Sequence, residues 1–191
     1  MTTPALLVMD VQQAIVDRLP DTDPDYLPRL TRAVTAARSA RIPVVHVVVG
    51  FRPGHPEAKS SPLFGALPEG AFTEGDPGAA IHPAVAPLPA ESVITKKRVS
   101  AFTGSDLDLV LRGGAVDHLV LTGIATSGVV LSTLRQAADL DHHLTVLADG
   151  CADADAEVHR VLTEKVFPRQ ADVSTVDAWI AGLTHSTPQG Q

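Results

Sequence analysis

The chain has 191 residues, of which 45% are hydrophobic, and its formal net charge is −7. This length suits a single domain with a buried core. The acidic balance excludes a nucleic-acid binder, which would need a surplus of Lys and Arg. No apolar run reaches the roughly 18 residues of a membrane span, and no basic, apolar leader opens the sequence. The single cysteine, Cys151, has no partner for an internal disulfide, so we expect a cytoplasmic protein. From the charge and the lack of long apolar runs, we expect that it binds neither nucleic acid nor membrane.

Short apolar runs alternate along the chain with stretches of helical periodicity. The runs predict strands over residues 5–9, 44–49, 92–95, 119–122, 144–147 and 173–176, and the periodicity predicts helices over residues 26–41, 106–112, 129–140 and 154–166. Alternation of this kind produces parallel pairing and right-handed crossovers, and uniformly apolar strands suit a sheet covered on both faces. We therefore predict an α/β fold: a doubly wound, mostly parallel six-stranded sheet with helices on both faces.

Residues 50–90 interrupt this alternation with eight prolines and six glycines. A connection this long inside a compact domain is usually functional or disordered. We favour an ordered arm that forms one wall of a site over a flexible insertion. The whole is predicted to be one domain over residues 1–184 that includes this arm, followed by a frayed tail over residues 185–191.

Candidate functional residues follow the predicted strands. In open α/β sheets the ligand binds beyond the carboxyl ends of the strands. There, Asp10 and Gln12 follow the first strand, and Lys96 ends the third. The fourth runs into a loop that opens a helix and contains Ile124, Ala125, Ser127, Gly128 and Val129. An acid, a base and helix-start N–H groups suited to an anion or an oxyanion are therefore expected at one edge of the sheet.

Each of these residues also has a purely structural explanation. An Asp at a strand end often caps the next turn, a lone Lys is usually solvated, and glycines permit tight turns. Their joint placement is what favours a functional site. Three other kinds of site are disfavoured. A serine-hydrolase site is disfavoured because Ser127 does not fit the G-x-S-x-G motif, and a nucleotide site because the usual glycine-rich motifs are missing. A metal site is disfavoured because the eight histidines lack metal-ligand spacing. We expect no metal and no cofactor.

Four segments together resemble a known family. They read LLVMDVQ over residues 6–12, KKRVSAF over residues 96–102, LVLTGIAT over residues 119–126 and DGCAD over residues 149–153. In this order and spacing, over about residues 5–177, they resemble the isochorismatase-like hydrolases, which include nicotinamidases and related cysteine hydrolases. The resemblance implies a Rossmann-like sheet that carries an Asp–Lys–Cys triad, in which Asp10 matches the acid and Lys96 the base. It also implies a non-proline cis peptide at Ile124–Ala125.

The sequence departs from this family at the nucleophile. In an alignment without gaps, Val129 occupies the position of the catalytic cysteine, and Cys151 lies 22 positions downstream in a different motif. We expect Cys151 to be a small buried hydrophobe. The Asp-x-His metal pattern of the nicotinamidases after strand two is also missing.

Two classes of function follow. The first is a hydrolase of a small polar molecule that works by Asp10/Lys96 acid–base catalysis without a covalent cysteine intermediate. In one variant, Asp10 would protonate carbon, as in family members that cleave the vinyl ether of isochorismate. In the other, Asp10 would activate water against an amide or another C–N bond, and the backbone amides of Ala125 and Val129 would hold the oxyanion. The second is a catalytically silent small-molecule-binding or scaffold protein.

Two further expectations concern ligand and assembly. Arg52 and His55 lie on the arm and suggest that the substrate is a polar or anionic small molecule, although either is equally consistent with a solvated loop residue. The family resemblance also implies a homodimer or a larger homo-oligomer.

Overall fold

The computed structural model describes residues 2–20 and 23–185, which form one six-stranded sheet with helices on both faces. Every strand pair in the sheet is parallel, in the order β3-β2-β1-β4-β5-β6. The strands are β1 (Pro4–Met9), β2 (Val44–Val49), β3 (Ser92–Lys96), β4 (His118–Ile124), β5 (His143–Ala152) and β6 (Asp172–Ser174). The helices are α1 (Gln13–Val16), α2 (Tyr26–Ser39), α3 (Leu107–Gly113), α4 (Leu131–Asp139), α5 (Ala156–Val161) and α6 (Val176–His185). The predicted fold class is confirmed.

The sheet separates two hydrophobic layers, because successive residues of a strand point to opposite faces. In β1, Leu7 and Met9 pack towards α3 and α4, whereas Leu6 and Val8 pack towards α2 and α6. All four side chains are buried, which explains why the strand reads as a continuous apolar run rather than as an alternating one.

The sequence prediction missed two helices and misplaced several ends. Helix α1 has only four residues, too few for a recognisable period. The sequence predicts a strand over residues 173–176 and no helix after it, whereas α6 begins at Val176. Val176 instead begins α6 and is buried against α2, because the backbone leaves the sheet after Ser174. Helix α5 begins later than predicted, since the Asp155 carboxylate caps it by accepting the N–H groups of Glu157 and Val158. Of the predicted tail, residues 186–191 lie outside the described part of the chain.

The segment over residues 50–90 folds against the sheet. It consists of turns built around its own small core of Val49, Phe51, Ala58 and Phe72. A bridge between Gln12 and Ile81 joins it to the segment that follows β1. Within residues 2–20 and 23–185, no helix has the length and apolarity needed to cross a bilayer.

Candidate active site

Asp10 and Lys96 meet at the carboxyl edge of the sheet. The Lys96 Nζ lies 2.9 Å from Asp10 Oδ2, and both side chains are buried, with 2% and 10% of their areas exposed. The sequence predicted both residues at one edge of the sheet, and the structure brings their side chains into direct contact. A buried ion pair is costly to desolvate, so its presence at a strand edge needs a reason beyond stability.

The strand order explains why a lysine is needed at this position. Strand β2 lies between β1 and β3, so the Lys96 side chain must cross one strand to reach Asp10. Adjacent strands are about 4.8 Å apart, which makes the span roughly 10 Å between backbones. Asp10 has a φ of 56°, and its N–H donates to the Val47 carbonyl of β2, so the carboxylate leaves the strand at a sharp turn.

The two ends of this ion pair have different surroundings. The Lys96 ammonium also donates to the Arg98 carbonyl at 3.0 Å. Asp10 Oδ1 is buried and has no hydrogen-bond partner among the described residues. Burial raises the pKa of the Asp10 carboxyl from 3.8 to about 6, although Lys96 acts in the opposite direction. A carboxyl group with this pKa and a free oxygen is suited to exchanging a proton near neutral pH.

The loop after β4 lies directly beside Asp10. Gly123 pairs with Met9 in the sheet, so the next residue of β4 is level with Asp10. This approach requires glycine: φ is 133°, and a Cβ would lie 2.0 Å from the Met9 carbonyl oxygen. The Ile124–Ala125 peptide is cis, as the family resemblance implied. One π-helical turn, Thr126–Val130, then leads into α4, and its closing bond runs from the Val130 N–H to the Ala125 carbonyl at 3.3 Å.

Internal contacts already use two of the amides predicted to bind an oxyanion. The Ser127 N–H donates to Asp153 Oδ2 at 2.7 Å, and the Gly128 N–H donates to the Ala125 carbonyl at 3.0 Å. Val129 is 2% exposed and packs in the core on the α4 side of the sheet. Ile124 is buried on the opposite side.

Three other predicted binding residues are occupied elsewhere. The Gln12 amide donates to the carbonyls of Val49 and Ala79 and accepts the Val49 N–H, so its side chain joins β1, β2 and the arm rather than facing a ligand. Arg52 is mostly exposed and pairs with Glu57 at 2.6 Å. His55 is buried in the arm, with Nε2 2.7 Å from the Ala71 carbonyl. These contacts do not bring Arg52 or His55 to the Asp10–Lys96 pair.

Sequence reasoning missed residues that hold the site in place. The Thr133 hydroxyl accepts the Ala101 N–H, and Gln136 accepts the Ser100 hydroxyl, so α4 fixes the segment that follows Lys96. Two polar residues inside a helix give no sequence signal of such a role. Asp153, which holds the Ser127 amide, follows β5 at the same edge. The sequence prediction ended this strand at residue 147, five residues too early, and therefore did not reach Asp153.

Cys151 lies within β5, which β4 separates from β1 and Asp10. It is 4% exposed, belongs to the core and pairs with Gly123, and its Sγ is 3.8 Å from the Leu121 carbonyl. Burial raises the pKa of its thiol to about 12, so it stays protonated at neutral pH. The expectation of a small buried hydrophobe is confirmed. Within residues 2–20 and 23–185, no group of three or more His, Cys, Asp or Glu side chains is arranged to hold a metal ion.

Comparison with known proteins agrees with this architecture. The family model described as the isochorismatase domain matches residues 4–178. The chain is 33% identical to the uncharacterized isochorismatase family protein YecD of Escherichia coli O157:H7, over 95% of this chain and 96% of that protein. It is 34% identical to the ureidoacrylate amidohydrolase RutB of Methylobacterium radiotolerans, over 95% of this chain and 77% of that protein.

A solved structure leads to the same conclusion. An isochorismatase family protein from Burkholderia thailandensis superposes with a TM-score of 0.84 at 29% identity, over 95% of this chain and 96% of that chain. The parallel six-stranded sheet with helices on both faces is the α/β fold of these isochorismatase family structures. The chain belongs to the isochorismatase family of hydrolases.

Proposed function

We propose that the protein hydrolyses a small polar molecule containing a vinyl ether, and that Asp10 is the proton donor. The observation that carries this proposal is the buried Asp10 carboxyl, which has one unpartnered oxygen and a pKa raised to about 6. A general acid needs a protonated fraction near neutral pH, and burial raises that fraction for Asp10 far above the one of an ordinary carboxyl.

The reaction conserves atoms and charge through these two residues. Asp10 transfers its proton to the terminal vinyl carbon, and the C=C electrons form the new C–H bond. Water attacks the resulting oxocarbenium carbon, and the proton that this water releases returns to the Asp10 carboxylate. The hemiketal then breaks into a carbonyl compound and an alcohol. Lys96, 2.9 Å away, stabilises the Asp10 carboxylate while it is unprotonated.

This mechanism needs no covalent cysteine intermediate. Val129, at the family's nucleophile position, has no titratable or nucleophilic atom. The only cysteine, Cys151, has a buried, protonated thiol, whereas the thiolate is the nucleophilic form. The family's thioester route therefore has no residue to perform it in this chain.

A second candidate function is hydrolysis of an amide or another C–N bond. The close Lys96 ammonium favours it, because an ionised Asp10 can act as a general base towards water. The similarity to proteins named ureidoacrylate amidohydrolase also favours it. A third candidate is a silent binding or scaffold protein, which is consistent with a cleft of about 670 Å³ that is lined by neither Asp10 nor Lys96.

The decisive experiment is a hydrolysis screen over isochorismate-like ethers, small amides and imines. Asp10→Asn should reduce the rate by about 10²- to 10⁴-fold, because a neutral amide does not transfer protons. Since this change leaves Lys96 buried without its counter-ion, the double variant Asp10→Asn/Lys96→Met is the control for folding. The double variant should be as inactive as the single variant but better folded. An active Asp10→Asn enzyme would overturn the proposal, and an inactive but folded wild type would favour the binding protein.

The family resemblance supports two further proposals. We infer a homodimer or larger assembly, to be checked by light scattering, where a species with the mass of one chain would contradict it. A cytoplasmic location is a separate proposal, supported by the sequence having a single cysteine and hence no internal disulfide.

A further inference from the structure

The loop beside Asp10 is held by a side chain of α5 as well as by its pairing with β1. The Thr126 hydroxyl lies 2.8 Å from Nδ1 of His159, a residue of α5. Thr126 is the first residue of the π-helical turn, and it is fully buried. Helix α5 therefore contacts the loop through one hydrogen bond between two side chains.

The direction of this hydrogen bond follows from burial. The Thr126 hydroxyl has no other hydrogen-bond partner within residues 2–20 and 23–185, and a buried donor without an acceptor is costly. The hydroxyl therefore donates to Nδ1, which accepts only when it carries no proton. Burial lowers the pKa of His159 below its usual value, so the ring is neutral at neutral pH. The geometry thus points to the neutral ring that carries its proton on Nε2.

Packing alone gives little reason for a histidine at this position. Helix α5 has six residues, none of which is buried, and His159 belongs to neither of the two hydrophobic layers. Its ring is half-buried against the loop, where it meets the Thr126 hydroxyl. The contribution of this side chain is therefore a polar contact that locates the loop.

A short stretch of chain connects this contact with the Asp10 carboxyl. Gly123 pairs with Met9, and Asp10 follows Met9, so residues 124 and 125 join the level of Asp10 to Thr126. At its other end the π-helical turn runs into α4. The sheet and α4 fix the two ends of the loop, and the α5 contact fixes a point between them. A misplacement of about 1 Å at a reacting centre can cost roughly 100-fold in rate.

We propose that His159 is a positioning residue for the reaction at Asp10. Its imidazole holds the Thr126 hydroxyl and thereby sets the distance between the peptide units of residues 124 and 125 and a substrate at Asp10. In this role His159 acts through Thr126 and exchanges no proton with the substrate. The inference rests on the proposed function for the reaction itself, whereas the placement of the loop is measurable without any substrate.

The first test is NMR of the isotope-labelled protein at neutral pH. The imidazole nitrogens of His159 should show an unprotonated Nδ1 and a protonated Nε2. The variant His159→Leu removes the acceptor and should shift the backbone amides of residues 124–128. The matched control is His118→Leu, because His118 Nε2 lies 2.9 Å from the Thr145 hydroxyl at the amino edge of the sheet. A proton on Nδ1 of His159, or loop shifts no larger than those of the control, would overturn the proposal.

Two more variants separate the hydrogen bond from the loss of the aromatic ring. Thr126→Val keeps the imidazole but removes the hydroxyl, and it should displace the same loop amides as His159→Leu. His159→Asn has no ring but keeps an acceptor near the position of Nδ1, so it should leave these amides close to their wild-type shifts. Equal shifts in His159→Asn and His159→Leu would show that the ring, and not the bond, is what the loop senses.

The second test measures kcat and KM on a substrate found in the hydrolysis screen. His159→Leu and Thr126→Val should each lower kcat by roughly 10- to 100-fold with a smaller change in KM. The double variant should be no slower than either one, because both changes remove the same bond. His159→Asn should recover most of the rate, and His118→Leu should keep it although it loses a bond of the same kind.

Rate losses that multiply in the double variant, or a His159→Asn enzyme as slow as His159→Leu, would overturn the positioning role. A wild type that hydrolyses nothing overturns the proposed function instead, and the NMR results alone then decide whether His159 places the loop.

Discussion

The pH dependence of the rate is the sharpest measure of what Asp10 does. If Asp10 donates the proton, the protonated fraction of its carboxyl limits the reaction. With a pKa of about 6, kcat/KM should be level at low pH and fall by roughly tenfold for each pH unit above 6. An unperturbed carboxyl would place the same inflection near 3.8.

Replacing Lys96 should move this inflection in a known direction. Burial raises the pKa of Asp10 and the Lys96 ammonium lowers it, so Lys96→Met removes the main effect that opposes burial. Because an adjacent opposite charge lowers a carboxyl pKa by about 1–3 units, the inflection should rise by a similar amount. The matched control is Lys97→Met, whose Nζ donates to the Gly50 carbonyl instead. That variant should leave the inflection unchanged.

The assay is kcat/KM between acid and mildly alkaline pH for the wild type and both variants, with folding checked by circular dichroism at each pH. A rate that rises through pH 6 would show that Asp10 acts as a base, which favours C–N bond hydrolysis. An inflection that stays in place or moves down in Lys96→Met would refute the electrostatic reasoning.

Three further predictions concern residues outside the proposed chemistry. Cys151→Ala should keep kcat within a few-fold, because its thiol is buried and protonated, and a larger loss in a folded variant would restore a role for the thiol. Gly123→Ala should destabilise the fold by about 4 kcal/mol or more in chemical denaturation, since its Cβ would enter the β1 backbone. The control is Gly113→Ala in α3, where the space around the glycine is open, and it should be neutral or stabilising by up to about 1 kcal/mol. Glu91→Gln should lower the free energy of unfolding by about 1–3 kcal/mol at neutral pH. Hydrogen bonds from Arg38 lower the pKa of Glu91 from 4.5 to about 2, so its contribution is present above pH 4.5 and disappears as the pH falls to 2. The control is the exposed Glu157→Gln, which should leave the stability nearly unchanged.

Much of the fold was readable from local pattern. The apolar run that precedes Asp10 is buried on both faces, which is the composition typical of a strand inside a covered parallel sheet. The order of strands and helices then restricts the topology, because crossovers in parallel sheets are right-handed. The carboxyl ends of parallel strands lie at one edge of a sheet, so the sequence also assigns Asp10 and Lys96 to the same edge.

Only the tertiary structure decided which of these edge residues meet. Sequence position marks a strand end, but the strand order and side-chain length decide that Lys96 reaches across β2 to Asp10. Arg52 and His55 were also predicted to bind the substrate, but Arg52 pairs with Glu57 and His55 contacts the Ala71 carbonyl within the arm. The Asp10 pKa is likewise a tertiary property, because desolvation depends on everything packed around the carboxyl and not on its neighbours in the chain.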